Sequence, residues 1–345
     1  MVIKMAKIIT VFVDIQESDR KYLEQRQPEN ADFIFVEEKL SEAIEKHYDK
    51  IKDAEILSVF TSSSVPSELL AKFPNLKLVA TRSTGFNNID LNFCNKHDIS
   101  VVNVPAYGER TVAEYAFALL LNVIRKVNVA YEDLKSGKIN LEKYRGHDLF
   151  GKTIGLIGTG SIGCYTAKIA YGFGMNILTY DPFPKEFLVE QLGVKYVELD
   201  ELYEKSDIIS LHAPSRKENF HMINDEAFAK MKDGVIIVNT ARGEIMDTNA
   251  LYKALLSGKV AGAGLDVLEC EEIIVNESLF LSKIDCVQKE CLQKTLINHE
   301  LLDMPNVIVT PHTAFDTVEA IERILQTTID NINAYLSGNV INKVN

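Results

Sequence analysis

The residues best able to do chemistry in this chain sit where apolar runs end. Val235–Asn239 runs into Thr240-Ala241-Arg242-Gly243, Ala263–Leu265 into Asp266 and then Glu269 and Glu271, Val307–Thr310 into Pro311-His312-Thr313, and Ile208–Leu211 into His212-Ala213-Pro214. If these runs are parallel strands, a guanidinium, several carboxylates and two imidazoles converge on one sheet edge, where open α/β sheets bind ligands. Such a set suits hydride transfer to a 2-keto acid. A guanidinium grips a carboxylate bidentately, each charge-assisted hydrogen bond contributing about 1.5–3 kcal/mol. Histidine can give a proton to a forming alkoxide near neutral pH, and an adjacent carboxylate favours its cationic form and orients the ring.

Pattern alone leaves His212 and His312, and Glu269 and Glu271, as alternatives. His212, close to Pro214, reads more simply as a residue that shapes a loop under the cofactor. His47, His97, His147, His221 and His299 lie in polar segments and read as solvated. Arg82 follows another apolar run and either anchors substrate or pairs with an acid. The acids Asp266, Glu269, Glu271 and Glu272 share no histidine at ligand spacing, so no metal is expected.

A second set binds phosphate. Gly158-Thr159-Gly160-Ser161-Ile162-Gly163 follows a strand candidate and opens a helix candidate, Cys164–Tyr171. Gly158 permits the tight turn, Gly160 lets backbone approach a pyrophosphate, and Gly163 lets the helix pack closely on the strand. The helix start, with Ser161 and Ile162, offers unpaired N–H groups and positive dipole to an anion. A second strand ends in Asp181, roughly twenty residues on, where a carboxylate accepts from ribose hydroxyls. Asp181 also repels a 2′-phosphate and no Arg follows it directly, so the expected cofactor is NAD rather than NADP.

These groups need elements to carry them. Short β-branched runs alternate with amphipathic stretches throughout, which predicts an α/β fold with parallel sheets. The strand candidates are Lys7–Val13, Asp32–Val36, Glu55–Phe60, Leu76–Ala80, Val101–Val104, Thr153–Ile157, Asn176–Tyr180, Ile208–Leu211, Val235–Asn239, Ala263–Val267 and Val307–Thr310. Thr111–Lys135 reads as one long helix, apolar on most sides, that either threads a large core or packs on another subunit. Glu269–Asp303 reads as an insertion with helices of its own.

The 345 residues suggest about two domains. Composition is ordinary for a globular protein, at 46% hydrophobic and 25% charged. A net charge of −12 disfavours non-specific binding to nucleic acid or anionic membrane. The longest apolar stretch, Tyr115–Ile124, is too short for a membrane span. Cys94, Cys164, Cys270, Cys286 and Cys291 form no C-x-x-C pair, which predicts free thiols in a reducing cytoplasm.

Taken together the motifs resemble the D-2-hydroxyacid dehydrogenase family, most of all its D-lactate dehydrogenase branch. They are Arg82-Ser83-Thr84-Gly85-Phe86-Asn87-Asn88-Ile89-Asp90, Val104-Pro105-Ala106-Tyr107, the glycine cradle with Asp181, Asn239-Thr240-Ala241-Arg242-Gly243, Gly264-Leu265-Asp266-Val267 and Thr310-Pro311-His312-Thr313-Ala314-Phe315. The resemblance spans nearly the whole chain and implies two Rossmann-like or flavodoxin-like domains. An NAD-binding domain, 107–312, is inserted in a substrate domain, 1–106 and 313–345, with the active site in the cleft between them.

The resemblance also implies residue roles. Arg242 would bind the substrate carboxylate, His312 would donate the proton, and Glu271 would keep His312 cationic. Backbone N–H groups of Thr84 and Gly85 would bind the carboxylate, with Tyr107 hydrogen-bonding substrate and Phe60 and Phe315 forming apolar walls. His212, Ala213, Pro214, Thr240, Ala241 and Asp266 would join the cradle residues around NAD. The helix from Thr111 would form a homodimer.

The activity implied is reduction of pyruvate to D-lactate with NADH. The same chemistry on a longer or branched 2-keto acid is the near alternative, and an NAD-sensing corepressor the distant one. A phosphorylated substrate fits poorly, because Phe60-Thr61-Ser62-Ser63-Ser64 carries no cation. Two features depart from the branch: Gly108-Glu109-Arg110 after Tyr107, and Cys270 beside Glu271, where oxidation or alkylation of the thiol would perturb the acid.

Overall fold

A computed structural model describes residues 7–275 and 289–345, the side chains of Glu272 and Val275 excepted. The chain forms two compact units, 1–107 with 316–345, and 108–315. The first unit is built on β1 (Ile8–Phe12), β2 (Ala31–Phe35), β3 (Ile56–Val59), β4 (Leu78–Thr81) and β5 (Ser100–Val102). They form a wholly parallel sheet in the order β2-β1-β3-β4-β5. Parallel neighbours need helical crossovers, which cover both faces, so the inner strands β3 and β4 are buried along their whole length rather than alternating.

The strand period of two divides these side chains between two cores. Val11, Val13, Leu57, Val59, Val79 and Val101 pack with Leu40, Ala43, Ile44 and Leu70 on one face. Phe12, Ile56, Leu78, Ala80 and Val102 pack on the other with Leu23 and, from the Val318–Leu336 helix, Leu325, Ile329 and Ile332. Burying each of those three helix side chains contributes about 1.5–3 kcal/mol. The helix is capped by the Thr317 side chain, which accepts from the Ala320 N–H at 3.2 Å.

The second unit holds β6 (Thr153–Ile157), β7 (Asn176–Tyr180), β8 (Lys195–Tyr196), β9 (Ile208–Leu211), β10 (Val235–Asn239), β11 (Val260–Leu265) and β12 (Val307–Val309). Their order is β12-β11-β10-β9-β6-β7-β8, again parallel. Chain order reverses at β6, which lies between β7 and β9, so the loop after β6 stands at the topological switch point where such sheets bind dinucleotides. The fold is thus a pair of doubly wound α/β units, as expected.

The expected single helix Thr111–Lys135 is two helices, Glu109–Arg125 and Val127–Lys135. Lys126 between them is left-handed, at φ 54 and ψ 40. The Asn122 side chain accepts from the Asn128 N–H at 2.9 Å, a local bond that competes with the helical ladder. The first helix buries Val112, Ala113, Ala116, Phe117, Leu119, Leu120 and Ile124, whereas the second buries no residue. In the expected insertion, Glu271–Val275 and Lys289–Asp303 are helical.

The expectation of free thiols fails for two cysteines. Cys270 and Cys291 are joined by a disulfide, while Cys94 and Cys164 are free and buried. Cys286 lies outside the described residues. Among the described residues, no helix is long and apolar enough to cross a membrane.

Candidate active site

The glycine cradle joins β6 to the Ser161–Gly172 helix. Gly158 has φ 97, and a Cβ there would lie 2.9 Å from the His212 carbonyl and the Ala213 nitrogen. A Cβ at Gly163 would meet the Gly158 carbonyl oxygen at 2.1 Å, so this helix start can approach the loop only as glycine. Gly160 is different: a Cβ there would meet nothing within 4 Å. Its exposed backbone, with the unpaired N–H groups of the helix start at Ser161 and Ile162, forms a cradle open to an anion.

Asp181 follows β7 directly, and its Oδ2 accepts the Thr159 N–H at 2.6 Å while its Oδ1 accepts the Phe183 N–H at 2.8 Å. The carboxylate is thereby fixed beside the cradle. An open phosphate approach and a positioned carboxylate are the donor and acceptor pair that NAD requires, so these residues fit the cofactor.

His212 continues β9 at 9% exposure, with Nε2 2.9 Å from the Ser210 hydroxyl. Burial pushes its pKa down to about 4, which keeps the ring neutral. It closes against the cradle, as expected of a loop-shaping residue, with Ala213 half-buried and the Pro214 carbonyl accepting from Asn219 at 2.8 Å. His212 Nδ1 and Thr240 Oγ1 are buried without a partner among the described residues.

The turn after β10 is organised by Asn239, which is fully buried. Its Oδ1 accepts the Ala241 N–H at 3.0 Å and its Nδ2 donates to the Arg242 carbonyl at 3.0 Å. Gly243 then presses so closely on Leu268 and Glu269 that a Cβ would lie 2.3–2.5 Å from their backbone. This contact brings Arg242, which is exposed, to the turn that carries the acids.

Of the two alternative acids, Glu271 is the one beside a candidate histidine: its Oε1 lies 2.7 Å from His312 Nδ1. Its Oε2 accepts the Leu268 N–H at 3.0 Å, which fixes the carboxylate from its own turn. Glu269 points the other way, into a buried cluster with His221 Nε2 at 2.7 Å, Lys294 Nζ at 2.7 Å and the Thr248 hydroxyl at 2.7 Å. These bonds hold the Glu269 carboxyl below its ordinary value against the opposing effect of burial. His221, read as solvated, is therefore paired and also stacked on Phe220 at 3.9 Å.

His312 is itself left-handed, at φ 54, a conformation worth about 1–3 kcal/mol of strain that persists only where neighbours impose it. Here Asp266 imposes it. Its buried carboxylate accepts from the Thr310 hydroxyl at 2.6 Å and from the Thr313 and Ala314 N–H groups at 2.9 Å, while its carbonyl accepts the His312 N–H at 3.0 Å. The hydrogen bond His312 donates to Glu271 raises its pKa, burial opposes it, the Asp266 charge adds to the rise and Arg242 subtracts. The charged form of the ring is thereby favoured, with the exposed Arg242 guanidinium close enough to act on it, a pair able to donate a proton and hold an anion. Phe315 ends this turn, with its Cβ 3.9 Å from where a Gly108 Cβ would stand.

The first unit carries the remaining expected residues. Arg82 neither faces solvent nor bonds an acid side chain: at 3% exposure, it donates to the Val13 and Asp14 carbonyls at 2.8 and 2.7 Å and to the Ser58 hydroxyl at 3.1 Å. It ties the ends of β1, β3 and β4, and the Asp14 and Asp19 carboxylates act on it through charge. The turn it begins is held by the Thr84 hydroxyl on the Val104 carbonyl at 2.8 Å and by Asn103 Nδ2 on the Thr84 carbonyl at 2.8 Å. Gly85 takes the Ser83 hydroxyl on its carbonyl at 2.6 Å. Phe60 and Tyr107 are held through their carbonyls, by Asn88 at 3.1 Å and Arg323 at 2.7 Å.

Comparison with known proteins agrees with this geometry. Residues 117–314 match the family model of the D-isomer specific 2-hydroxyacid dehydrogenase NAD-binding domain. A 2-hydroxyacid dehydrogenase homolog of Haemophilus influenzae is 40% identical over 329 residues, 94% of this chain and 96% of that one. The D-lactate dehydrogenase of Escherichia coli is 36% identical over 326 residues, 94% and 95% of the two chains. Glyoxylate and hydroxypyruvate reductases also stand among the relatives. The crystal structure of D-lactate dehydrogenase from Aquifex aeolicus, complexed with NAD and lactic acid, matches 98% of this chain and 100% of that one at a TM-score of 0.83 and 36% identity. With a phosphate cradle at the switch point, a histidine paired with a carboxylate and a matching family model over more than half its length, the chain belongs to the D-isomer specific 2-hydroxyacid dehydrogenases, enzymes that use NAD.

Proposed function

We propose that this dehydrogenase acts on the smallest common 2-keto acid, reducing pyruvate to D-lactate. The observation that carries the reading is the 2.7 Å contact between Glu271 and His312 beside an exposed Arg242. Gly158–Gly163 and Asp181, with Ala213, Pro214, Thr240, Ala241 and Asp266, would hold NADH, which would supply the hydride. Because Nδ1 of His312 faces Glu271, its Nε2–H is the proton donor to the forming alkoxide. Arg242 clamps the carboxylate bidentately, and the Thr84 and Gly85 N–H groups are its second anchor. Tyr107 hydrogen-bonds the substrate, and Phe60 and Phe315 are the apolar walls proposed around its side chain.

The test is NADH oxidation with pyruvate, 2-oxobutyrate, 2-oxoisocaproate, phenylpyruvate, hydroxypyruvate and glyoxylate, with NADPH as control and product chirality determined. The reading expects the highest kcat/KM for pyruvate and a D product. A clear preference for glyoxylate or hydroxypyruvate would replace it with that reductase activity, and tight NADH binding without turnover would point to a sensor.

The same reading makes the enzyme a cytoplasmic homodimer. Val127, Tyr131, Leu134, Ile139 and Leu141 are 54–79% exposed on and after the second of the paired helices, a row of apolar side chains that a second copy of the chain would cover. Light scattering that returns a monomer mass at micromolar concentration would refute the dimer.

A further inference from the structure

The turn that carries Glu271 is held by one helix. Cys270 is bonded to Cys291, Lys294 Nζ reaches Glu269 Oε1 at 2.7 Å, and Asn298 Nδ2 donates to the Glu269 carbonyl at 2.9 Å. All three partners belong to the Lys289–Asp303 helix. Cys270, between the buried Glu269 and the functional candidate Glu271, is left-handed at φ 55. A residue with a Cβ keeps that conformation only where its surroundings over-determine it. Glu269 is over-determined from its own side by His221, Thr248 and Lys294. The bridge acts on the strained residue itself, next to the carboxylate that must meet His312.

We propose that the Cys270–Cys291 disulfide is a thiol-sensitive strap that positions Glu271 against His312, so that the pair is held more tightly in the oxidised protein than in the reduced one. The inference rests on the reading of Glu271 and His312 as the acid/base pair. Reduction releases Cys270 while Lys294 and Asn298 still hold Glu269, so the turn loosens and the unit stays folded. The groups that face His312 are Glu271, Asp266 and Arg242. Asp266 is fixed by Thr310, Thr313 and Ala314, and the turn of Arg242 by Asn239, whereas Glu271 is held by the Leu268 N–H of the same turn that the bridge ties down, so Glu271 is the member the bridge controls.

The chemistry is dithiol exchange. One thiolate of the reductant attacks a bridge sulfur, and the S–S bond breaks to give a mixed disulfide. The reductant's second thiolate then displaces the protein sulfur. Two electrons and two protons end on Cys270 and Cys291, and the dithiol leaves as a cyclic disulfide. Both cysteines are half-buried, whereas Cys94 and Cys164 are buried.

The experiment compares oxidised protein, dithiothreitol-reduced protein and Cys291→Ser, with pairing established by peptide mass mapping. The first readout is the His312 titration midpoint by NMR, assigned with His312→Gln. The second is kcat/KM for pyruvate against pH. On reduction and in Cys291→Ser, the midpoint should fall toward the ordinary histidine value and kcat/KM should drop, by up to about tenfold where histidine protonation limits the rate. NADH affinity should hold, and dithiothreitol should not change Cys291→Ser further. Equal midpoints and rates in the oxidised and reduced wild-type protein would overturn the strap, as would mapping that pairs Cys270 with Cys286. The NMR readout needs no turnover. A redox-dependent midpoint in an inactive protein would sustain the strap and remove the dehydrogenase reading, whereas a state-independent midpoint in an active one would remove the strap alone.

Discussion

Replacing Glu271 with glutamine keeps the size of the side chain and an oxygen able to accept from His312, and removes only the charge. The contact is short, 2.7 Å, but the two side chains are 45% and 32% exposed, so water screens part of the attraction. A hydrogen bond to a charged group contributes about 1.5–3 kcal/mol, and this exposure places the contact at the lower end. At about 1.4 kcal/mol per factor of ten, the variant should lose about tenfold in kcat/KM for keto-acid reduction where histidine protonation limits the rate. The sign follows from the raised pKa of His312. Reduction consumes the cationic form, which in the wild type survives to higher pH because of Glu271. Below both midpoints the imidazole is protonated in either protein, and the rates should nearly converge. As pH rises the variant should fail first, its alkaline limb lying at lower pH. The assay is initial-rate NADH oxidation from about two pH units below to two above the ordinary histidine value. A wild-type to variant ratio that is constant across that range would refute the argument, because it would assign Glu271 a purely structural role.

Four other substitutions probe separate parts of the site. His312→Gln should lower kcat by about 10²–10⁴ while NADH binding, read by fluorescence, is retained; near wild-type turnover there, with His212→Gln inactive, would transfer the proton to the other histidine. Arg242→Lys should raise KM for the keto acid, since a point charge cannot reproduce a bidentate fork, and an unchanged KM would remove Arg242 from the carboxylate. Gly160→Ala should keep the wild-type Tm and weaken NADH binding, because its Cβ meets nothing in the protein and stands on the open side of the cradle. Gly158→Ala should instead lower Tm by several degrees, since φ 97 and the 2.9 Å approach to His212 and Ala213 leave no room for it; the reverse pattern would mean that the cradle is misassigned.

Much of this was legible in the sequence because buried parallel strands announce themselves. Thr153–Ile157, Asn176–Tyr180, Ile208–Leu211 and Val235–Asn239 are strands end for end as expected, each a short apolar run closed by a polar or turn residue. Lys195–Tyr196 escaped notice, since two residues at a sheet edge carry no period to read. The break at Lys126 escaped because neither glycine nor proline marks it; its cause is an asparagine side chain reaching six residues along the chain. Glu269 and Glu271 could not be separated by spacing, since both lie on one turn and differ only in the tertiary partner each meets. Lys294, 25 residues beyond Glu269 in a polar helix, gave no signal: a buried lysine looks like any other until its carboxylate is located. Arg82 misled for the same reason, because a strand-end arginine that satisfies backbone carbonyls has the same sequence appearance as one that awaits an anion.

The route of the chain through its two units bears on its synthesis. The sheet of the first unit is complete by Val102, yet one of its faces is covered by Leu325, Ile329 and Ile332, and β5 is met by Lys343 from the far end of the chain. At ribosomal rates of about 5–20 residues per second, the roughly two hundred residues of the second unit impose a delay of about 10–40 s. During that interval Phe12, Ile56, Leu78 and Val102 form an apolar surface only partly covered, by Leu23 and its helix, while the second unit, being continuous in sequence, can fold at once. The nascent chain should therefore pass through a long-lived half-finished state that binds holdase chaperones, and pulse proteolysis of stalled ribosomes should find residues 108–315 protected before residues 7–107.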